Sequence, residues 1–235
     1  MLRGAVLTAG LLGFGTMSQA ACRLALLLAV DVSSSVDDAE YALQRDGLAA
    51  ALRHEDVVHA MLNGPGPVAF AIYEWSGRRQ QRVMVDWTMI HEASDIEAVA
   101  ATVQAAPRSY NEFPTAMGYA MGFGHTMITR APVCRRRVID VSGDGITNDG
   151  FGPELAYKHF AFDNIVVNGL AIKGEEREVL DYYETKVAHG PLSFVEVAQS
   201  FEDFERVMVR KLFRELSEVV VGHQALPQQS FWALR

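Results

Sequence analysis

Three groups of oxygen-bearing side chains have types and spacings that suit metal binding. Asp31, Ser33 and Ser35 form the pattern D-x-S-x-S directly after an apolar run. Thr115 opens the stretch T-A-M-G, and Asp144 lies in the stretch S-G-D-G. Carboxylate and hydroxyl oxygens are hard donors, which hold Mg²⁺, Mn²⁺ or Ca²⁺. These residues are therefore candidate metal ligands.

The serines of the first group also have a purely structural interpretation. Serine and aspartate are preferred N-cap residues, and Ser34 or Ser35 would cap the helix that is expected from about Asp37. On this interpretation the hydroxyl groups satisfy backbone N–H groups and bind no ion. The pattern alone leaves both interpretations open.

An apolar run positions the first group. Leu24–Val30 is apolar throughout, without alternation, which is typical of a strand buried on both faces of a parallel sheet. In open α/β sheets, ligands bind at the carboxyl ends of the strands. We therefore expect this strand at the centre of the sheet, with Asp31 at its C-terminal edge.

Strands and helices alternate along the rest of the chain. Apolar, β-prone segments predict strands at Val68–Trp75, Gln81–Trp87, Arg137–Ser142, Asn164–Ile172 and Ser193–Val197. Helical spacing predicts helices at Asp37–Leu52, Ser94–Ala105, Thr115–Ile128, Pro153–Phe160, Glu175–Val187 and Phe201–Val220. The strands on either side of the turn at residues 76–79 form a hairpin, so one edge strand is expected to be antiparallel. The fold class is therefore α/β, a doubly wound and mostly parallel sheet with one antiparallel edge strand.

Length and charge narrow the class of protein. The chain has 235 residues, which suits one domain, and 49% of them are hydrophobic, which is ample for a core. The net charge is −8, whereas proteins that bind nucleic acids or anionic membrane surfaces usually carry an excess of basic residues. The charge therefore argues against both of these functions.

The N-terminus has the form of a secretory signal peptide. Arg3 gives a positive start, an apolar stretch follows, and the small residues Ser18 and Ala20 suit cleavage after residue 20. The alternative is a retained membrane anchor, because hydrophobicity resumes at Leu24. We expect a signal peptide at residues 1–20, a domain at 21–222 and a loose tail at 223–235. The mature protein would be exported, periplasmic or secreted, with no stable membrane span.

Export permits the two cysteines to form a disulfide. Cys22 precedes the first strand, and Cys134 precedes the strand predicted at Arg137–Ser142. If these strands are parallel neighbours, the two sulfur atoms meet at the end of the sheet away from the candidate metal site. The alternative is a pair of unpaired thiols.

The combination of motifs resembles the von Willebrand factor A-type domain. The metal-ion-dependent adhesion site of that domain uses D-x-S-x-S after the first strand, a Thr from a T-x-x-G-x-A loop and an Asp from a D-G after the fourth strand. Asp31, Ser33, Ser35, Thr115 and Asp144 match those ligands in chain order. The resemblance covers about residues 23–220.

The chain also resembles, more narrowly, an uncharacterised family of exported bacterial proteins with this fold. The stretches D-V-S-S-S and V-S-G-D-G and the pair Glu74-Trp75 carry that likeness. One departure is at Gly143, because the usual T-D-G is here G-D-G. The departure leaves the ligand Asp144 intact.

The resemblance implies a divalent-metal-dependent protein-interaction module. Ser33, Ser35 and Thr115 would supply neutral oxygens, and Asp31 and Asp144 would bind the ion or its water molecules. The ion then stays electron-poor and takes a Glu or Asp carboxylate from an unknown protein partner. Mg²⁺ is the expected ion, with Mn²⁺ or Ca²⁺ as alternatives.

Two other functions are compatible with the same residues. The first is a metal-assisted hydrolase, and the second is a scaffolding subunit with a vestigial metal site. No G-x-S-x-G elbow frames a serine, and the site motifs contain no convincing general base. We therefore expect a binding module and not an enzyme.

Overall fold

The computed structural model describes residues 22–173 and 178–217. The predicted signal peptide and the predicted tail lie outside the described residues. None of the helices in the described part of the chain combines the length and the hydrophobicity that a membrane span requires.

Six strands form one sheet in the order β3-β2-β1-β4-β5-β6. Their bounds are β1 Cys22–Asp31, β2 Val68–Trp75, β3 Gln81–Ile90, β4 Cys134–Gly143, β5 Val166–Ile172 and β6 Val195–Ala198. All neighbours are parallel except β2 and β3, which form the predicted hairpin with β3 at the edge. Every residue of β1 is buried. The predicted central position of Leu24–Val30 is therefore confirmed.

Helices cover both faces of the sheet. They are α1 Asp38–Arg53, α2 Glu55–Leu62, α3 Ala93–Ala105, α4 Met117–Thr129, α5 Pro153–His159, α6 Glu178–Tyr182 with a π-helical turn at Tyr183–Val187, and α7 Phe204–Ser217 after a 3₁₀ turn at Phe201–Asp203. Leu26 packs into the layer that contains α1, α2, α3 and α7, whereas Leu27 packs into the layer of α4, α5 and α6. Because both faces are covered, the strand is apolar throughout. The α/β doubly wound class is confirmed.

Three elements differ from the prediction. The short helix α2 was not predicted; His54 has extended backbone angles that end α1, and its side chain caps α2. The helix predicted from Thr115 begins at Met117, so Thr115 stays in the preceding loop. The helix predicted at Glu175–Val187 is described only from Glu178, and its second half is π-helical.

A disulfide joins Cys22 to Cys134, with their Cα atoms 4.4 Å apart. The two residues are direct partners in the register of β1 and β4. They lie at the start of both strands, and Asp31 lies at the far end of β1. The cross-link is thus at the end of the sheet opposite the candidate metal site.

Candidate metal centre

The loop between β1 and α1 carries the first group of candidate ligands. Strand β1 ends at Asp31, and α1 begins at Asp38. The N-cap of α1 is Asp37, whose Oδ1 accepts from the Glu40 N–H at 2.8 Å, while Glu40 Oε2 accepts from the Asp37 N–H at 2.8 Å. The interpretation of Ser34 or Ser35 as the cap is therefore wrong, because a complete capping box follows them.

The hydroxyl groups of the candidate site lie in one continuous chain of contacts. Thr115 Oγ1 donates to Ser33 Oγ at 3.2 Å, and Ser33 Oγ lies 3.2 Å from Ser35 Oγ. Ser35 Oγ donates to Asp144 Oδ1 at 2.8 Å. Asp31 joins through Oδ1, which accepts from the Ser33 N–H at 2.8 Å. The fold thus brings all five predicted residues together from three separate loops.

The five residues differ in burial, and we call the buried ones the floor of the site and the more exposed ones its mouth. Asp31, Ser33 and Thr115 are buried, whereas Ser35 is exposed and Asp144 is half-buried. Burial, followed by the nearby charge of Asp144, raises the pKa of the Asp31 carboxyl group to about 8, although the Ser33 N–H and the Arg108 guanidinium act in the opposite direction. The floor therefore disfavours an uncompensated negative charge.

One oxygen of the floor carboxylate is unsatisfied. Asp31 Oδ2 is buried and has no hydrogen-bond partner among the described residues. A Cβ atom on Gly143 would lie only 2.6 Å from that oxygen, so any side chain at this position would collide with Asp31. Gly143, at the position where the resembled motif carries threonine, thus leaves free the space beside Asp31 Oδ2.

Arg108 holds the backbone of the first loop in place. Its Nη2 atom donates to the carbonyl oxygens of Ser33 at 3.1 Å and Val36 at 2.6 Å, and its Nη1 atom contacts Asp38 at 3.0 Å. The guanidinium fork suits this arrangement because it presents several donors in one plane. No local sequence pattern marks Arg108, so its role was missed.

Two further residues support the site and were also missed. Asn148 Oδ1 accepts from the Thr115 N–H at 2.9 Å, and the Asn148 N–H donates to the Thr115 carbonyl at 3.0 Å. Gln44 Nε2 donates to the Asp31 carbonyl at 2.9 Å. Both residues act on backbone atoms that are distant in sequence, and no local pattern reports such a contact.

The candidate site opens into a cleft of about 490 Å³. The cleft is lined by Ser35, Glu40, Thr115, Asp144, Gly145, Ile146, Asn148, Ile172, Lys173, Ser200, Phe201 and Glu202. Among the described residues, this lining includes no histidine or cysteine, and Lys173 is its one cationic side chain. The apolar side chains and mixed charges of the cleft suit contact with a protein surface.

The residues present fit a hard divalent cation. Within residues 22–173 and 178–217, no group of three or more His, Cys, Asp or Glu side chains is arranged to hold a metal. A cation here would depend on hydroxyl oxygens as well as carboxylates, which excludes the donor set of a structural zinc site. The unpaired Oδ2 of Asp31 adds an acceptor that such a cation, or water bound to it, would satisfy.

Comparison with known proteins identifies one family. A family model described as Protein of unknown function (DUF1194) matches residues 21–220. No curated protein matches the chain by sequence.

Solved structures with a von Willebrand factor A fold are similar to this chain. The von Willebrand factor type A protein from Catenulispora acidiphila has a TM-score of 0.61 and 14% identity, over 83% of this chain and 43% of that chain. Proximal thread matrix protein 1 from the mussel byssus, solved with a zinc-occupied MIDAS motif, has a TM-score of 0.59 and 15% identity, over 84% and 47%. The pilus adhesin SpaC from Lactobacillus rhamnosus GG has a TM-score of 0.62 and 14% identity, over 84% and 31%.

The chain thus spans less than half of the length of these solved chains. At such identities the likeness shows the fold alone. It confirms a von Willebrand factor A-like architecture and leaves the ligands and partners of this chain to be argued from its own residues.

Proposed function

The chain belongs to the family described as Protein of unknown function (DUF1194), and we propose that it is an exported, divalent-metal-dependent module that binds other proteins. One observation carries the proposal. Five oxygen-bearing side chains from three loops converge at the carboxyl edge of the sheet, and the most buried carboxylate keeps one oxygen unpaired. Such a donor set suits Mg²⁺, or Mn²⁺ or Ca²⁺ in its place.

The distribution of charge supports an acidic partner. Ser33, Ser35 and Thr115 contribute no charge, so only Asp31 and Asp144 offset a divalent ion. A bound cation would supply a positive centre for one further carboxylate oxygen, donated by a Glu or Asp of the partner. Lys173 in the cleft adds an attraction for that carboxylate, whereas Glu40 and Glu202 on the same lining oppose it, so the bound cation would supply the main attraction.

Binding accounts for the cleft better than catalysis does. General acid–base chemistry most often uses histidine, and no histidine of the described part of the chain lines the cleft. Thr115 and Ser33 contact other hydroxyl groups, and Ser35 donates to Asp144, a carboxylate that the proposal assigns to the metal site. Among the described residues, no histidine accepts a hydrogen bond from these hydroxyl groups. We therefore propose that the site captures a ligand without bond-making chemistry. Turnover in a screen of ester and phosphoester substrates with Mg²⁺ would contradict this.

The N-terminal pattern and the cysteine pair support export. A disulfide persists in the periplasm or outside the cell and is reduced in most cytosols. Cys22 and Cys134 are cross-linked across neighbouring strands. Fractionation of cells that express the full chain tests this point, and retention in the cytosol with two free thiols would contradict it.

Calorimetric titration with Mg²⁺ and Mn²⁺ tests the metal site. Ser35→Ala removes a hydroxyl that contacts Ser33 and Asp144, whereas Ser34→Ala removes an exposed neighbouring hydroxyl and serves as the matched control. We expect binding by the native protein and by Ser34→Ala, and loss of at least about tenfold in affinity for Ser35→Ala. Absence of binding by the native protein would refute the proposal.

Chelation tests the role of the ion in partner binding. Immobilised native protein is incubated with periplasmic extract in Mg²⁺, and bound protein is then eluted with chelator. Asp144→Ala serves as the control for capture that does not depend on the site. We expect partners that elute from the native protein only, and equal capture by both proteins would contradict the proposal.

A further inference from the structure

Tyr183 has a buried hydroxyl group that the fold does not use. The residue opens the π-helical turn at Tyr183–Val187, and its side chain is fully buried. Its hydroxyl has no hydrogen-bond partner among the described residues. Burying an unpaired hydroxyl is unfavourable, and native structures keep few such groups. The hydroxyl of Tyr183 therefore requires an explanation.

Two glycines on neighbouring strands make room for this tyrosine. A Cβ atom on Gly169 of β5 would lie 2.7 Å from Cδ1 of the Tyr183 ring. A Cβ atom on Gly143 of β4 would lie 2.8 Å from the Tyr183 hydroxyl oxygen. Both distances are too short for a carbon contact, so the ring depends on the absence of a side chain at both positions.

The space beside Gly143 also borders the unpaired oxygen of Asp31. The Cβ position that lies 2.8 Å from the Tyr183 hydroxyl lies 2.6 Å from Asp31 Oδ2. Oδ1 of the same carboxylate already accepts from the Ser33 N–H at 2.8 Å. A buried donor and a buried acceptor, each without a partner, thus face the same small volume.

The neighbouring residue connects the same turn to the third loop of the site. Tyr182 donates from its hydroxyl to Thr147 Oγ1 at 2.9 Å, three residues beyond Asp144. The segment that carries Tyr183 is thus fixed to the loop that carries a candidate ligand. Packing and this hydrogen bond together define where the Tyr183 hydroxyl lies.

We propose that Tyr183 is a positioning residue, whose hydroxyl donates a hydrogen bond to Asp31 Oδ2 when the site holds a divalent cation. The inference rests on the proposed function, because it assigns Tyr183 to that same metal site. A tyrosine hydroxyl has one hydrogen to donate, and each oxygen of an ionised carboxylate has two lone pairs, so Oδ2 can accept from Tyr183 while it also contacts the ion or its water. Hydrogen bonds of this kind orient ligating carboxylates, and their loss typically lowers metal affinity roughly 10- to 100-fold.

The test is Tyr183→Phe, which removes the hydroxyl and keeps the ring over Gly143 and Gly169. The matched control is Tyr73→Phe, because Tyr73 is also fully buried but its hydroxyl donates to the Ala120 carbonyl at 2.8 Å. We expect Tyr183→Phe to bind Mg²⁺ roughly 10- to 100-fold more weakly and to be no less stable in chelator. We expect Tyr73→Phe to keep the native affinity and to lose stability in chelator.

The outcomes separate this inference from the proposed function. If the native protein binds Mg²⁺ and Tyr183→Phe binds it equally well, the positioning role is overturned and the metal site stands. If the native protein binds neither Mg²⁺ nor Mn²⁺, the proposed function itself fails. If Tyr183→Phe loses as much stability in chelator as Tyr73→Phe does, the hydroxyl has an ordinary structural role, which also overturns the inference.

Discussion

Lys211 on α7 and Asp140 on β4 form an ion pair in the core, with Nζ 2.9 Å from Oδ1 and both side chains out of contact with water. Glu215 lies 3.2 Å from the same Nζ atom and accepts from Asn168 Nδ2 at 2.6 Å. Burial raises the pKa of Asp140 to about 7; Lys211 acts in the opposite direction, and Glu215 raises it. Two carboxyl groups thus share one ammonium group, and the cluster joins α7 to the centre of the sheet.

Replacing Lys211 by methionine should destabilise the protein strongly. Asp140 and Glu215 would be left buried without their cation, and breaking a buried pair in this way costs about 3–5 kcal/mol. The loss should be smaller at pH 5.5 than at pH 8, because a protonated carboxyl group needs no cationic partner. Urea unfolding at both pH values measures it.

Lys186→Met is the matched control for that variant. Lys186 pairs with Glu154 at 2.7 Å, but both side chains are about half exposed. Exposed pairs contribute little to stability, because water and salt screen both charges. Equal losses of stability in the two lysine variants would contradict a special role for the buried cluster.

The sequence predicts the sheet because strands that are buried on both faces consist of apolar residues. Leu24–Val30 is apolar throughout since helices cover both faces of β1. Five candidate ligands were found because their spacing is local to each loop. The spatial order of the strands then brings these loops together.

Other features are absent from any local pattern. Helix α2 buries only Val57 and Met61, so its apolar face is too short to give a helical period. Arg108 and Asn148 contact backbone atoms of distant loops. The residues next to them in the sequence form no pattern that would indicate such contacts. The sequence does not indicate that Tyr183 is near the site, because its proximity to Gly143 and Asp31 arises only in the folded protein.

A side chain at position 143 should not be tolerated. In Gly143→Ala the new Cβ atom would meet Asp31 Oδ2 at 2.6 Å and the Tyr183 hydroxyl at 2.8 Å. Overpacking of this kind costs about 1–3 kcal/mol. The free energy of unfolding in chelator measures the loss.

Gly145→Ala is the control for this glycine prediction. A Cβ atom on Gly145 would approach Thr115 Oγ1 only to 3.5 Å, an ordinary contact. We expect its stability to be within about 0.5 kcal/mol of the native value. A loss as large as that of Gly143→Ala would show that the clash beside Asp31 is not the cause.

Substitutions at positions 37 and 35 should separate the effect of helix capping from the effect of metal binding. Asp37→Ala removes the N-cap of α1 and should cost about 1 kcal/mol of stability, while the Mg²⁺ affinity stays native. Ser35→Ala should show the reverse, with native stability in chelator and weakened Mg²⁺ binding. Chemical unfolding and calorimetric titration of both variants test this, and loss of stability in Ser35→Ala would show that its hydroxyl supports the fold without a metal.

The contribution of Asp31 to the stability of the metal-free protein should fall as the pH rises. The pKa of Asp31 is raised to about 8 in the folded state, against roughly 3.9 for an unperturbed aspartate. The folded state therefore binds this proton more tightly, so the stability contributed by Asp31 decreases between about pH 4 and pH 8. Asp31→Asn should flatten the slope measured in chelator. The contribution of Asp140 has the same sign but is present in both proteins, and identical slopes would contradict the assignment to Asp31.

Stabilisation by Mg²⁺ should instead grow with pH. A cation at the candidate site competes with the proton on Asp31, because metal ligands must be deprotonated. The rise in melting temperature on adding Mg²⁺ follows from binding to the folded state alone. We therefore expect a larger rise at pH 8.5 than at pH 6, and none in Asp31→Ala at either pH. A rise that is independent of pH, or equal in the variant, would show that Mg²⁺ binds elsewhere on the protein.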